Sequence, residues 1–183
     1  MSSRFEKVGS ELVWEGRIAS VREERFRHED GQTVDREVVG HPGAVAIVAH
    51  DDTDVWMVRQ PREPVGEPDL LELPAGKLDE DGEAPLETAK RELAEEIGKA
   101  AEHWEHLHTF WMSPGFSDEQ MHVYLATRLR DAEAEVEENE RIDIEPWPLD
   151  RLDDLIAQCR DSKSLVGLLM LRVRLAAADS DIA

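Results

Sequence analysis

Three glutamates lie close together in the middle of this 183-residue chain. Glu92, Glu95 and Glu96 are spaced by three and four positions, which puts their carboxylates on one face of a helix. Like charges at this spacing destabilise an isolated helix by about 0.2–0.5 kcal/mol, and the C-terminal end of a helix disfavours anions further. Clustered carboxylate oxygens are the ligands that Mg²⁺ and Mn²⁺ prefer. The cluster therefore indicates a metal site or, alternatively, a solvated acidic helix face.

The segment around these glutamates is expected to be helical over residues 84–98. Leu86, Leu93 and Ile97 recur with helical periodicity and point away from the carboxylates. Gly98 is a typical residue for ending a helix. We therefore expect a helix that packs one face into the core and carries the three carboxylates on another.

The rest of the chain alternates strand-like and helix-like segments. The apolar run at residues 44–49 and the segment at residues 55–60 are predicted to be strands that pair with each other across a turn at Asp51-Asp52. The further predicted elements are strands over residues 1–40 with a turn at Asp30-Gly31, strands at 70–76, within 103–129 and at 142–149, and helices at 150–159 and 162–178. This order predicts an α/β or α+β domain with a mixed sheet.

The composition limits the class of partner. The chain carries 42 acidic and 21 basic residues, a formal charge of −21, and such a field repels nucleic acid and anionic membranes. The same excess is also typical of a salt-adapted surface. No apolar run approaches the roughly 20 residues of a membrane span, and the N-terminus lacks the apolar core of a signal peptide. The single cysteine, Cys159, excludes an intrachain disulfide framework. We therefore expect a cytoplasmic protein.

The residues before the helix extend the chemical pattern. Gly76 and Glu83 precede Arg91 and the three glutamates, and Gly98 closes the segment. This combination of a glycine, a glutamate, an Arg-Glu pair, a Glu-Glu pair and a final glycine over residues 76–98 resembles the Nudix box. The resemblance implies a hydrolase of the Nudix family, in which a mixed sheet is sandwiched between helices and the box forms a loop, a helix and a loop.

Two positions depart from the family pattern. Six residues separate Gly76 from Glu83 where the family has five, and Lys99 stands where an apolar residue is usual. Both changes leave the carboxylates in place, so we expect them to affect the geometry of the loops rather than metal binding.

The resemblance also implies roles for individual residues. Glu92 and Glu96 would be the primary ligands of Mg²⁺, or of Mn²⁺, with Glu95 as a further ligand or a close neighbour of the metal. The backbone carbonyl of Ala75 would complete the metal site. The remaining box residues would be structural: Gly76 and Gly98 at the two ends, and an ion pair between Arg91 and Glu83 that orients the helix.

The same resemblance points to an acidic loop at residues 137–140 for the catalytic base. Glu138 is the first choice for the group that deprotonates or orients the attacking water. Glu140 is either a further metal ligand or the base itself, and Glu95 is a third catalytic candidate.

Flanking segments resemble the ADP-ribose pyrophosphatase subgroup of the family. They are Leu71–Asp79, Arg59–Arg62 (with Pro61 in place of the usual aromatic residue) and the loop Ser113–Glu119, in which Pro114 follows Gly98 by sixteen positions. The resemblance implies hydrolysis of ADP-ribose to AMP and ribose 5-phosphate. The alternatives are another substrate (a GDP-sugar, ADP-glucose, NADH or a diadenosine polyphosphate) or a non-catalytic module that binds ADP-ribose.

Several residues are candidates for contact with such a substrate. Arg36 and Arg62 suit phosphates, because guanidinium groups bind them through two hydrogen bonds. Glu72 points off the core face of its strand and contacts either substrate or solvent. Trp14 either stacks on adenine or packs within the fold. Pro114 and Gly115 belong to the loop that matches the subgroup.

The chain is expected to contain two folded parts. Residues 1–40 resemble the N-terminal β extension with which such enzymes dimerise and grip the substrate, and residues 41–178 would form the hydrolase domain. Residues 179–183 are expected to be a frayed tail. The resemblance therefore implies a homodimer that acts on a nucleoside-diphosphate sugar.

Overall fold

The computed structural model of the protein describes residues 4–133 and 141–180. Contacts divide the chain into two compact units. The first unit comprises Met1–Gly43 and Phe110–Gln120, and the second comprises Ala44–Thr109 and Met121–Ala183. The interval 110–120 therefore groups with the N-terminal strands. The division into an extension at residues 1–40 and a hydrolase domain at residues 41–178 stays a prediction.

The described residues contain ten strands and three α-helices. The strands are β1 (Phe5–Glu15), β2 (Ser20–His28), β3 (Thr33–Gly40), β4 (Ala44–Ala49), β5 (Asp54–Arg62), β6 (Glu67–Glu72), β7 (Ala75–Lys77), β8 (Lys99–Trp111), β9 (Gln120–Asp131) and β10 (Asp143–Pro148). The helices are α1 (Pro85–Ile97), α2 (Leu152–Gln158) and α3 (Ser162–Ser180), with 3₁₀ turns at Glu63–Val65 and Leu149–Arg151. No helix within the described ranges is long and apolar enough to cross a membrane.

The first unit is built on an antiparallel sheet in the order β1-β2-β3. Gly31 has φ 82° in the turn between β2 and β3, a conformation that glycine adopts without steric cost. The interval 110–120 is tied to β3, because the Val39 N–H donates to the Phe116 carbonyl at 2.8 Å. Asp118 accepts the His41 N–H at 2.9 Å and pairs with the Arg22 guanidinium.

The second unit contains two sheets. One has the order β7-β4-β9-β8, with β4 parallel to β9 and antiparallel to β7, and the other has the order β10-β5-β6. All six residues of β4 are buried, as is typical of a strand covered on both faces. The predicted mixed sheet is confirmed.

The predicted pairing between residues 44–49 and 55–60 is wrong. β4 is hydrogen-bonded by β9 on one edge and β7 on the other, so it has no free edge for β5. β5 pairs instead with β10 and β6, and a single bridge between His50 and Val55 joins the ends of β4 and β5.

Helices cover both faces of β4. On one face, Leu93 and Ile97 of α1 join Val45 and Ile47 in a buried cluster. On the other face, α3 comes so close that a Cβ atom on Gly167 would lie 2.9 Å from Val48. The predicted arrangement of a mixed sheet between helices is confirmed.

The helix that carries the three glutamates runs from Pro85 to Ile97, as the periodicity predicts. Gly98 ends it with φ 64°, and its N–H donates to the Ala94 carbonyl at 3.0 Å. Glycine at a left-handed position after the last turn is a common helix stop.

The turn after β4 is organised by the carboxylate of Asp51. It accepts the N–H groups of Thr53 and Asp54, both at 2.9 Å, and the indole N–H of Trp56 at 3.1 Å. Burial acts to raise the pKa of Asp51, but these hydrogen bonds favour the charged form and bring the pKa from 3.8 down to about 2.

We predict that Asp51→Ala lowers the free energy of unfolding at pH 7 by about 1–2 kcal/mol, a range that allows for solvent screening. Because the pKa is depressed in the folded state, the contribution of the carboxylate is complete above pH 4 and is lost as the pH falls toward 2. Urea unfolding at pH 7, 4 and 2.5 measures it, with exposed Asp52→Ala as the control. A variant as stable as the parent at pH 7 would contradict the assignment.

Candidate functional site

Residues 73–76, which join β6 to β7 and include the first two residues of β7, lie directly against the glutamate helix. We call this segment the turn, and Ala75 and Gly76 are the end of it that meets the helix. The Ala75 N–H donates to the Glu96 carboxylate at 2.9 Å, and Glu96 is buried, with 7% of its surface exposed. A Cβ atom on Gly76 would lie 2.0 Å from the carboxylate carbon of Glu92. An alanine at that position would push the Glu92 carboxylate away. The carboxylates of Glu96 and Glu92 therefore lie beside two successive backbone residues, Ala75 and Gly76.

Arg91 forms ion pairs with three glutamates of the box. Its guanidinium lies 2.8 Å from Glu95, 2.9 Å from Glu92 and 3.3 Å from Glu83, so the expected ion pair with Glu83 is present. Burial acts to lower the pKa of Arg91, but the hydrogen bond to Glu83 and the charges of Glu92 and Glu95 raise it overall.

Glu83 is fixed from a second side. The Thr88 hydroxyl donates to its carboxylate at 2.8 Å, and this bond together with the Arg91 guanidinium lowers the pKa of Glu83. Glu83 thus ties the loop before α1 to the first turns of the helix. The Arg91 guanidinium therefore links three carboxylates of the box through ion pairs.

These groups form an oxygen-rich site. Within the described residues, no three histidine, cysteine, aspartate or glutamate side chains converge in a group that could hold a metal ion. Two carboxylates, Glu92 and Glu96, do meet the backbone at Ala75 and Gly76, where the missing side chain of the glycine leaves room for a carboxylate. Hard oxygen donors of this kind suit Mg²⁺, which keeps several waters and needs few protein ligands. The residues present therefore fit such an ion.

Arg62 and Glu72 form an ion pair in which the carboxylate is buried and the arginine side chain is partly exposed. The guanidinium donates through Nε and Nη2 to the two carboxylate oxygens, at 2.7 Å each. Glu72 is only 1% exposed, so the alternative of a solvated strand residue is wrong. Burial acts to raise the pKa of Glu72, but Arg62 and Lys163 lower it overall. The two best-aligned donors of Arg62 are thus engaged within the protein.

The start of α3 supplies groups that the sequence analysis did not single out. Lys163, only 8% exposed, also donates to the Glu72 carboxylate. Asp161 accepts from the Lys163 ammonium at 2.9 Å and from the Ser164 N–H at 3.0 Å. The Leu73 N–H donates to the Ser164 hydroxyl oxygen at 2.7 Å. An aspartate just before a helix is a recognisable capping signal, but no sequence signal links it to a glutamate about ninety residues earlier.

The remaining substrate-contact candidates belong to the first unit. Trp14 lies on β1 and is 57% exposed, although its ring also covers Gly16. Arg36 is exposed on β3 and donates to the carbonyl of Asp35 at 2.9 Å. Pro114 and Gly115 are exposed in the loop between β8 and β9.

Glu138 and Glu140, the candidates for the catalytic base, lie outside the described residues. Their roles stay predictions. The third catalytic candidate, Glu95, pairs with Arg91 as described above.

Comparison with known proteins identifies the family of this chain. The model of the NUDIX domain family matches residues 40–165. The chain is 39% identical over 181 residues to a methanol dehydrogenase activator of Bacillus methanolicus, covering 95% of this chain and 97% of that protein. It is 50% identical over 128 residues to an ADP-ribose pyrophosphatase of Mycobacterium tuberculosis, covering 69% of this chain and 61% of that protein.

A solved structure described as an ADP compounds hydrolase superposes with a TM-score of 0.84 at 25% identity, covering 96% of both chains. The family match spans more than half of the residues. This chain therefore belongs to the NUDIX family of hydrolases.

Proposed function

We propose that this protein hydrolyses the pyrophosphate bond of ADP-ribose, or of a related nucleoside-diphosphate sugar, to AMP and a sugar phosphate in a Mg²⁺-dependent reaction. The observation that carries the proposal is the close approach of Glu92 and Glu96 to the turn at Ala75 and Gly76. The choice of substrate is supported by the 50% identity to an ADP-ribose pyrophosphatase and by the flanking segments that resemble that subgroup.

Glu92, Glu96 and the carbonyl of Ala75 would hold the metal, and Mn²⁺ has the same preference for oxygen ligands. Bound there, the ion would neutralise charge on the pyrophosphate oxygens. Arg91 would orient the Glu92 and Glu95 carboxylates through its ion pairs with them. In a chain with a formal charge of −21, the cations would also offset the field that repels an anionic substrate.

Hydrolysis needs a group that accepts a proton from the attacking water. As the water oxygen bonds to phosphorus, the bridging P–O bond breaks and the leaving phosphate keeps the electron pair. We assign the proton transfer to Glu138, with Glu140 and Glu95 as the other candidates, because an ionised carboxylate within hydrogen-bond reach can serve as a general base.

The substrate contacts are assigned from exposure and chemistry. Arg36 is exposed and suits a phosphate, and Trp14 offers an exposed aromatic face to adenine. Arg62 and Glu72 engage each other, so their direct contact with substrate would be limited to the remaining guanidinium donors. Pro114 and Gly115 would contribute through the exposed loop that carries them.

We further propose that the protein is a homodimer in the cytoplasm. Every residue of β1 is exposed, including the large apolar side chains of Phe5, Leu12, Val13 and Trp14. β1 is also the edge of its sheet, and an exposed apolar edge strand favours association with another chain. The single cysteine, which leaves no intrachain disulfide, supports the compartment.

We predict that Glu92→Gln lowers turnover of ADP-ribose by at least about 100-fold, because changes that merely reorient metal ligands already cost 10–100-fold. The assay is AMP release at saturating Mg²⁺. Glu87→Gln, an exposed glutamate on the same helix, is the control and should retain parental turnover. Parental turnover by Glu92→Gln would show that the metal assignment is wrong.

We predict that ADP-ribose is hydrolysed faster than ADP-glucose, GDP-mannose, NADH or a diadenosine polyphosphate. The measurement is kcat/KM for each compound with Mg²⁺, and EDTA should abolish turnover of all of them. Preference for another compound would support the assignment as a hydrolase and contradict the assignment of ADP-ribose as its substrate. Tight ADP-ribose binding without turnover would favour a non-catalytic binding module.

We predict that the protein elutes at twice the 20.8 kDa mass of the chain in size exclusion with light scattering. Val13→Glu should shift it toward the monomer, because the substitution puts a charge among the exposed apolar side chains near the end of β1. Val173→Glu, an equally exposed valine on α3, is the matched control and should leave the mass unchanged. A monomeric parent protein would rule out the dimer.

The similarity to a methanol dehydrogenase activator favours a second candidate function, in which the protein raises the activity of another enzyme. Glu92→Gln distinguishes the two routes by which this could happen. An activator that works through hydrolysis would lose its effect with this variant, whereas one that works through contact would keep it.

A further inference from the structure

Four charged side chains form a chain of ion pairs in the second unit, buried at its centre and partly exposed at Arg62. Arg62 from β5 and Lys163 from α3 both donate to Glu72 at the end of β6, and Lys163 also donates to Asp161. Glu72 and Lys163 are almost fully buried. We call these four residues the buried ion chain.

The buried ion chain is electrically neutral, with two cations and two anions. Each buried charge is costly to desolvate, and a set of apolar side chains of similar volume usually stabilises a fold at least as well. The advantage of such a chain is geometric, because charge-assisted hydrogen bonds accept only a narrow range of positions. We therefore expect the buried ion chain to hold a neighbouring segment of the protein in position.

The segment held is the turn after β6, which is fixed by one hydrogen bond at each of three successive residues. The Leu73 N–H donates to Ser164 of α3 at 2.7 Å, and the Pro74 carbonyl accepts the Ile47 N–H of β4 at 2.8 Å. The Ala75 N–H donates to Glu96 of α1 at 2.9 Å. The start of α3 thus fixes one end of the turn whose other end touches the box carboxylates.

We propose that Lys163 and Ser164, acting through Glu72 and Leu73, are positioning residues that hold the Ala75–Gly76 turn at the distance from Glu92 and Glu96 that metal binding requires. This inference rests on the proposed function for the identity of the metal site. Lys163 and Ser164 contact neither substrate nor metal in this scheme. Their effect appears first in metal affinity and then in turnover.

The test is Mn²⁺ binding to the metal-free full-length protein, followed by electron paramagnetic resonance, with kcat and KM for ADP-ribose measured in parallel. Lys163→Met keeps the length of the side chain and removes its charge, and we expect it to raise the Kd for Mn²⁺ about 10-fold. We expect kcat to fall by a similar factor while KM changes less than about 3-fold.

Two further variants make the result specific. Ser164→Ala removes the hydrogen bonds of the Ser164 hydroxyl with the Leu73 N–H and with Asp161 but keeps the Lys163–Glu72 ion pair, so it should raise the Kd for Mn²⁺ by a smaller factor. Lys90→Met is the matched control, because Lys90 is an exposed lysine whose pair with Glu87 lies away from the turn, and it should bind Mn²⁺ like the parent. If Lys163→Met does not fold, Ser164→Ala carries the test.

Parental Mn²⁺ affinity in folded Lys163→Met and Ser164→Ala would overturn the proposal, and so would a parent protein that binds no Mn²⁺. Weakened Mn²⁺ binding without turnover of any nucleotide would support positioning and contradict the hydrolase proposal. Weakened binding in Lys90→Met as well would mean that the effect is not specific to the turn, and would also overturn it.

Discussion

The contact between the Ala75–Gly76 turn and helix α1 is the constraint on which the rest of the site depends. A buried carboxylate, Glu96, accepts a backbone N–H from the turn, and Glu92 packs where a side chain on Gly76 would otherwise lie. Carboxylates at helical spacing would repel one another on an isolated helix. Here the turn, the Arg91 guanidinium and the core beneath α1 hold them together, so the helix tolerates an arrangement that is unfavourable by itself.

The local part of this arrangement could be predicted from the sequence. The periodicity of Leu86, Leu93 and Ile97 and the glycine at 98 predicted the helix, and the structure has it from Pro85 to Ile97. The spacing of the glutamates predicted a shared face because helix geometry is fixed by the backbone alone. The continuous apolar run at residues 44–49 likewise predicted a strand, since length and β-branched content are local properties.

The long-range part could not be predicted in this way. The pairing of β4 with β5 was inferred from their adjacency, but strand partners are chosen by which edges remain free, and β9 and β7 occupy both edges of β4. From the sequence, Glu72 was interpreted as a solvated strand residue or a substrate contact. Its partners are Arg62 of β5 and Lys163 at the start of α3, and no local pattern around Glu72 indicates either of them. No local property of a lysine in the first turn of a helix shows whether it forms a buried ion pair or lies on the surface.

The glycine at position 76 has a consequence for comparing related chains. A single methyl group there would leave every box glutamate in the sequence and still displace the Glu92 carboxylate from the backbone. Inspection of the acidic residues alone would then miss this change in the position of Glu92. Comparison of related chains should therefore include the residue at the position of Gly76 as well as the three glutamates.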